Sequence, residues 1–226
     1  MNQMENYARL LIQVGINLQK QQTLVISCPV ECAEFGRIAQ VEAYKAGARE
    51  VVMRWIDEQS THIGYLLASD DTFDEFPAWA KVFFNDYADS DAAFLSIMAS
   101  DPELMKDVDP KRISRQNKAR NTALEHYRTR QMSNKNVWCV ASVPTAAWAR
   151  KVFPGKSEAD AIAALWAAIY KTVRVDQADP VKAWRSHQAA LNERLAFLGD
   201  NAFASLRYKN SLGTDLTIAL PKGHQW

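Results

Sequence analysis

Hydrophobic residues recur along the chain at two spacings, one typical of helices and one typical of short buried strands. Residues 7–20 carry apolar side chains at the spacing of one helix face. The apolar run at 23–28 is short and is closed by Pro29, which predicts a buried strand. A helix is predicted again at 31–46 and a second strand at 49–55. This order predicts a βαβ unit with parallel strands and a right-handed crossover.

The alternation of helices and strands continues almost to residue 200. Further helices are predicted at 58–69, 74–88, 110–132, 144–152, 157–173 and 180–199, and further strands at 92–98 and 136–142. Two of these helices start with an aspartate followed by proline, Asp109-Pro110 and Asp179-Pro180, which suits an N-cap and the first helical position. Residues 1–200 therefore predict one three-layer α/β domain, in which a parallel sheet has helices on both faces.

The last residues of the chain follow a different pattern. Residues 203–208 and 214–220 alternate apolar and polar side chains around a turn that contains Asn210 and Gly213, which predicts a β-hairpin. An isolated hairpin is only marginally stable because it has no second layer on which to bury its apolar face. We therefore expect residues 201–226 to be the first hairpin of an incomplete second domain, and the chain to be a fragment.

Composition narrows the class of protein. The chain has 226 residues, of which 48% are hydrophobic and 23% charged, as is ordinary for a globular protein. A formal net charge of +1 without basic runs argues against binding to nucleic acid or to an anionic membrane. No apolar stretch is long enough to span a membrane, and no signal-peptide pattern is visible. Three cysteines, an odd number, favour a reducing compartment, so we expect a cytoplasmic protein.

Parallel α/β sheets bind ligands beyond the carboxyl ends of their strands. The segments at these ends are residues 27–31, 55–57, 98–101 and 142–148. Neither a G-x-G-x-x-G nor a G-x-x-x-x-G-K-[ST] motif occurs, which disfavours nucleotide binding, and without G-x-S-x-G a hydrolase triad is unsupported. A small-molecule enzyme that uses the strand ends near Cys28, Asp57 and Asp101 stays open as one alternative.

Two residue pairs have spacings that sometimes carry chemistry. Cys28 and Cys32 flank a strand-to-helix turn, where a helix N-terminus can activate a thiolate, but two small buried residues in a tight turn explain the spacing better. Glu58 and His62 stand one helical turn apart, as two metal ligands would. Such acid–histidine pairs are also common on solvated helix faces, and this interpretation is favoured.

An ordered set of short motifs resembles one known family. The motifs are Tyr7-Ala8, Val14-Gly15, residues 43–48, Val108-Asp109-Pro110, residues 144–149 and 152–154, Leu165-Trp166, Asp179-Pro180 with Trp184, and residues 213–216 and 220–226. In this order they resemble the N-terminal part of the thermophilic-type metallo-aminopeptidases, the group of aminopeptidase T, aminopeptidase S and PepS. The resemblance covers essentially the whole chain.

The resemblance implies a hydrolase that removes N-terminal residues from short peptides. In the family an α/β domain precedes a catalytic domain that binds two divalent metal ions (Zn, Co, Mn or Mg), and the enzyme is a homodimer. The family's ligands begin with a Pro-Thr-Glu-Glu-type segment, which this sequence does not contain. No catalytic or metal-binding residue is therefore assigned to this chain, and we expect the chain alone to bind no metal and to be inactive.

The resemblance also implies that the N-terminal domain forms part of the wall of a restricted substrate cavity. The residues predicted to line this cavity are Pro144, Thr145, Trp148, His224 and Trp226. The alternative is that they form a helix start and a strand end that are held by packing alone. A second alternative for the whole chain is a stand-alone binding or scaffold domain without catalytic activity.

Overall fold

The apolar runs of the sequence form a parallel β-sheet. The computed structural model describes residues 2–226. The strands are β1 (Thr23–Pro29), β2 (Glu50–Ile56), β3 (Ala93–Met98) and β4 (Trp138–Ser142), and their order in the sheet is β2-β1-β3-β4. All three neighbouring pairs are parallel. The central strands β1 and β3 are almost completely buried, as expected for strands with helices on both faces.

Nine helices surround or follow this sheet in residues 2–226. They are α1 (Gln3–Leu10), α2 (Ala33–Lys45), α3 (Glu58–Leu67), α4 (Ala78–Asp89), α5 (Pro110–Ala123), α6 (Glu125–Met132), α7 (Ala146–Val152), α8 (Glu158–Thr172) and α9 (Pro180–Asn201). A π-helical turn at Leu11–Gly15 and 3-10 turns at Val30–Cys32 and Asp70–Asp74 complete the helical segments. The predicted α/β class, with a parallel sheet and helices on both of its faces, is confirmed.

On one face of the sheet, four aromatic rings hold three helices together. Tyr7 of α1 lies 5.2 Å from Phe35 of α2 and 6.2 Å from Tyr170 of α8, measured between ring centroids. Trp166 stacks on Tyr170 at 4.9 Å. Tyr7 is 1% exposed, and its hydroxyl donates a hydrogen bond of 3.2 Å to the carbonyl oxygen of Ser142 at the end of β4. Burial raises the pKa of this hydroxyl to about 12, so Tyr7 stays a hydrogen-bond donor at neutral pH.

On the other face, helices α4 and α6 cover the central strands. Phe84 of α4 and Leu124, at the start of α6, pack with Phe94 of β3 in one buried cluster. Asn136, just before β4, is 1% exposed. Its Nδ2 donates to the carbonyl oxygens of Ala88 at 2.9 Å and Ala92 at 3.1 Å, so that a buried amide fixes the entry to β4.

The helix boundaries differ from the prediction in three main places. The first helix, expected at 7–20, begins earlier at Gln3 and ends in the π-helical turn at Gly15. The predicted helix at residues 110–132 is two helices, because the backbone leaves helical geometry at Leu124 (φ −101°, ψ 20°). Leu124 is 1% exposed, and no glycine or proline at this point marks the break in the sequence. The helix expected at 74–88 begins only after Pro77, whose backbone is not helical.

The chain divides into two compact units, one that runs to Val181 and one that comprises Lys182–Trp226. The second unit contains most of α9 and the antiparallel hairpin of β5 (Ser205–Lys209) and β6 (Asp215–Ala219). The hairpin prediction is confirmed, and Gly213 supplies the positive φ of 97° in its turn. Every residue of β6 is exposed. The domain boundary expected between residues 200 and 201 stays a prediction.

A substitution at Gly15 tests the contact between the π-helical turn and β4. A Cβ atom added to Gly15 would lie 2.8 Å from Sγ of Cys139. Gly15→Ala should therefore lower the free energy of unfolding by about 1–3 kcal/mol, measured by urea denaturation, because the core becomes overpacked. Gly64→Ala in α3 is the matched control, since a Cβ there meets nothing within 4 Å. It should raise stability by about 0.5–1 kcal/mol.

The double variant Gly15→Ala/Cys139→Ala should lose less stability than the sum of the two single variants. A Gly15→Ala protein as stable as the original, or strictly additive effects, would contradict the close contact.

Candidate functional site

A polar cleft lies at the carboxyl edge of the parallel sheet, where the segments that follow β2, β3 and β4 meet. Its volume is about 460 Å³. The lining residues are His62 from α3, Asp101, Glu103, Leu104, Lys106 and Asp107 from the loop after β3, and Ala147, Arg150 and Lys151 from α7. This is the edge at which α/β sheets bind small molecules.

The loop after β3 is held against the first turns of α3. Glu58 accepts a hydrogen bond from the Ser100 hydroxyl at 2.6 Å through one carboxylate oxygen, and from the Asp101 backbone N–H at 3.3 Å through the other. The Asp101 carboxylate accepts from the N–H of Glu103 at 2.9 Å. Val108, at the far end of the loop, is buried. The loop is thereby fixed at both ends and forms a defined wall of the cleft.

A histidine–carboxylate hydrogen bond and one ion pair connect the walls of the cleft. Nε2 of His62 lies 2.7 Å from Oδ1 of Asp107, and Nζ of Lys151 lies 2.6 Å from Oε1 of Glu103. The hydrogen bond from His62 lowers the pKa of Asp107, and the one from Lys151 lowers the pKa of Glu103. Glu103 and Lys151 are both more than half exposed, so their ion pair contributes little to stability and can be exchanged for a ligand.

The residues predicted to line a substrate cavity fall into both units. Pro144, Thr145 and Trp148 lie at the start of α7, where the Thr145 hydroxyl accepts from the Trp148 N–H at 3.4 Å as the N-cap. These three residues are half-buried and do not line the cleft. The residues of α7 that line it are Ala147 and residues 150–151.

His224 and Trp226 lie at the end of the second unit. Their rings are 5.5 Å apart and nearly perpendicular, and Nδ1 of His224 lies 3.0 Å from the Pro221 carbonyl oxygen. Both line a concave surface of the second unit, with a volume of about 790 Å³, which Phe203 and Leu220 also line. The part that these residues and those at the start of α7 play in a substrate cavity stays a prediction.

Of the three strand-end residues considered for a small-molecule site, the structure places only Asp101 in the cleft. Asp57 is the N-cap of α3, where its carboxylate accepts from the Ser60 N–H at 3.1 Å. Cys28 is buried in the core.

The basic residues of the cleft were missed by the sequence analysis. Four charged residues directly after β3, within residues 101–107, were the signal that could have identified the wall of the cleft formed by this loop.

The cysteines at the strand-to-helix turn are not activated thiolates. Cys28 is 0% and Cys32 is 4% exposed, and Sγ of Cys28 donates to the carbonyl oxygen of Cys32 at 3.5 Å. Burial raises the pKa of Cys28 to about 11 and that of Cys32 to about 12. Both thiols are therefore protonated at neutral pH, and the structure supports the interpretation as buried residues in a tight turn.

The pair Glu58 and His62 does not form a metal site, because its members have different partners. Glu58 binds the loop after β3, whereas His62 pairs with Asp107. Across residues 2–226, no group of three or more His, Cys, Asp or Glu side chains is placed to hold a metal ion. The residues present do not fit the two divalent ions that the family resemblance implies. Within the same residues, none of the helices is both long and apolar enough to cross a membrane.

The fold and the cleft define a parallel α/β protein with a ligand-sized polar site at the carboxyl edge of its sheet. Over residues 1–226 the sequence matches the thermophilic metalloprotease family M29, and the chain belongs to that family. This confirms the resemblance to the N-terminal part of the thermophilic-type metallo-aminopeptidases.

Proteins similar to this chain are named as aminopeptidases. Aminopeptidase AmpS of Bacillus subtilis (strain 168) is 40% identical over 223 residues, which are 99% of this chain and 54% of the relative. Aminopeptidase T of Thermus thermophilus is 33% identical, with the same coverage. The solved structure of wild-type AmpT from Thermus thermophilus superposes with a TM-score of 0.89 at 31% identity, covering 99% of this chain and 55% of that one. The chain thus spans about half the length of the relatives it matches.

The raised pKa values of the buried thiols predict low reactivity towards Ellman's reagent. At pH 7.5, a thiol with a pKa of about 11 has well under about one thousandth of its population as thiolate, and buried thiols are also shielded from the reagent. The folded chain should therefore react far more slowly than the urea-unfolded chain, in which all three cysteines should react rapidly. Equal rates in the folded and unfolded protein would contradict the buried, protonated state.

Proposed function

We propose that the chain is the N-terminal part of a metal-dependent aminopeptidase that removes N-terminal residues from short peptides. The observation that carries this proposal is the family match over residues 1–226, together with relatives named as aminopeptidases at 33–40% identity. The chain accounts for 54% of the length of these relatives. The remaining length is available for the catalytic residues that residues 2–226 do not supply.

The proposal divides the work between two parts of the protein. The two divalent ions are held by residues outside this chain, since residues 2–226 contain no cluster of three potential ligands. Residues 201–226 form the beginning of the catalytic domain. The exposure of all of β6 supports this assignment, because a stable hairpin needs a second layer against which its apolar face is buried. The chain alone is then without peptidase activity.

The proposed contribution of this chain is to shape the substrate cavity and the contacts between subunits. Pro144, Thr145 and Trp148, together with His224 and Trp226, form part of the cavity wall. The protein acts as a homodimer in the cytoplasm. Exposed apolar side chains on the hairpin, such as Leu212 at 93%, support burial of this surface in a larger assembly. Three free cysteines suit a reducing compartment.

The direct test compares the 226-residue chain with a protein extended to the length of its relatives. The extended protein should release the N-terminal residue from leucyl dipeptides, lose this activity with a chelator and regain it with zinc, cobalt or manganese. It should also sediment as a dimer.

The chain alone, shown to be folded by circular dichroism, should give no turnover above the blank and no stoichiometric metal in elemental analysis. Turnover or tightly bound metal in the chain alone would contradict the proposed division. An extended protein without peptidase activity at any metal concentration would contradict the function.

A further inference from the structure

The cleft at the carboxyl edge of the sheet has the properties of a separate binding site. Its volume of about 460 Å³ lies within the range of small-molecule sites. Its walls belong to three segments that follow β2, β3 and β4, and all of them lie in the first unit. None of the five residues predicted to line a peptidase cavity contributes to it.

The charges of the cleft are balanced rather than of one sign. Its lining contains three carboxylates, on Asp101, Glu103 and Asp107, and three cations, on Lys106, Arg150 and Lys151. These six charged side chains sum to a formal charge of zero. Equal numbers of opposite charges give neither a simple anion nor a simple cation a net electrostatic advantage in the cleft. Balanced charge favours a ligand that itself carries one charge of each sign.

Among residues 2–226, two of these charged groups have no side-chain partner within ion-pair or hydrogen-bond distance. Glu103 pairs with Lys151, Asp107 with His62, and Arg150 with Glu158 on α8. In contrast, no ion pair within 4 Å involves Lys106 or Asp101. The Asp101 carboxylate makes one hydrogen bond, through Oδ1 to the Glu103 N–H, and is half-buried. The cleft therefore presents one cation and one carboxylate without a side-chain partner in direct contact, although Lys106 also acts at longer range on Glu103 and Asp107, whose pKa values it helps to lower.

We propose that this cleft binds a small zwitterion, an α-amino acid or a dipeptide, with its ammonium group on Asp101 and its carboxylate on Lys106. The exposed Lys151–Glu103 pair can open to give each end of the ligand a second partner, because such a pair costs little to exchange. Leu104 and Ala147 provide the apolar part of the lining, against which an aliphatic side chain can pack. The site does not depend on peptide hydrolysis or on a metal, since all of its residues belong to this chain.

Nuclear magnetic resonance of the ¹⁵N-labelled 226-residue chain tests the site directly. The probes are L-leucine and L-leucylglycine, each compared with 4-methylpentanoate, which has only the carboxylate, and with isoamylamine, which has only the ammonium group. At least one zwitterion should shift the amide signals of residues 101–107 and 147–151 saturably, with a Kd on the order of 1 mM. Each single-charge analogue should bind at least about tenfold more weakly.

Two variants test the groups named in the proposal. Asp101→Asn keeps the Oδ1 acceptor for the Glu103 N–H but removes the charge, and Lys106→Met removes the cation. Each should weaken binding about tenfold or more, whereas the exposed control Lys171→Met, on α8, should leave it unchanged.

The two zwitterions, leucine and leucylglycine, distinguish a site for a free amino acid from a site for a peptide. Binding of leucine supports a site for a free amino acid, and binding of leucylglycine alone supports a site for a peptide. Absence of saturable shifts with both zwitterions up to about 20 mM, in a chain whose spectrum shows it to be folded, would overturn the proposal. Equal binding of the single-charge analogues, or equal loss in Lys171→Met and Lys106→Met, would also overturn it. None of these results bears on whether the extended protein is a peptidase.

Discussion

The packing of Tyr7 is the constraint on which most of the first unit depends. Its ring brings α1 against Phe35 of α2 and Tyr170 of α8, and its hydroxyl binds the carbonyl oxygen of Ser142, 135 positions along the chain. Aromatic pairs of this kind contribute about 0.5–1.5 kcal/mol each beyond the burial of their surface. A residue near the start of the chain thus holds the end of the last strand of the sheet.

This constraint also places the cleft. Ser142 ends β4, and the next residue, Val143, donates to the carbonyl oxygen of Met98 at 3.2 Å, so the chain enters α7 beside the loop that follows β3. Glu58 fixes the same loop from the side of α3. The backbone of the cleft is therefore fixed by buried contacts and hydrogen bonds, while the charged side chains that line it remain partly solvated. Such a combination allows ligands to bind without rearrangement of the fold.

The sequence was sufficient for features that depend on local pattern, and insufficient for those that depend on strand order. Apolar runs such as 23–28 gave β1 almost to the residue, and the turn around Gly213 gave the hairpin. The break at Leu124 has no glycine or proline to mark it, and Leu124 packs in the buried cluster that contains Phe94 of β3. Asp101 could be found from its place after a strand. Its neighbours in the cleft, Arg150 and Lys151, could not, because only the pairing of β3 with β4 brings α7 beside the loop.

The first unit has a buried core of its own, whereas β6 of the second unit is exposed along its whole length. Hydrogen exchange of the 226-residue chain measures this difference between the two units. Amides of β1 and β3 should exchange slowest, through global unfolding, and those of β6 should exchange rapidly because every residue of that strand is exposed. Protection of β6 equal to that of β1 would contradict this expectation, since the hairpin would then share the core of the first unit.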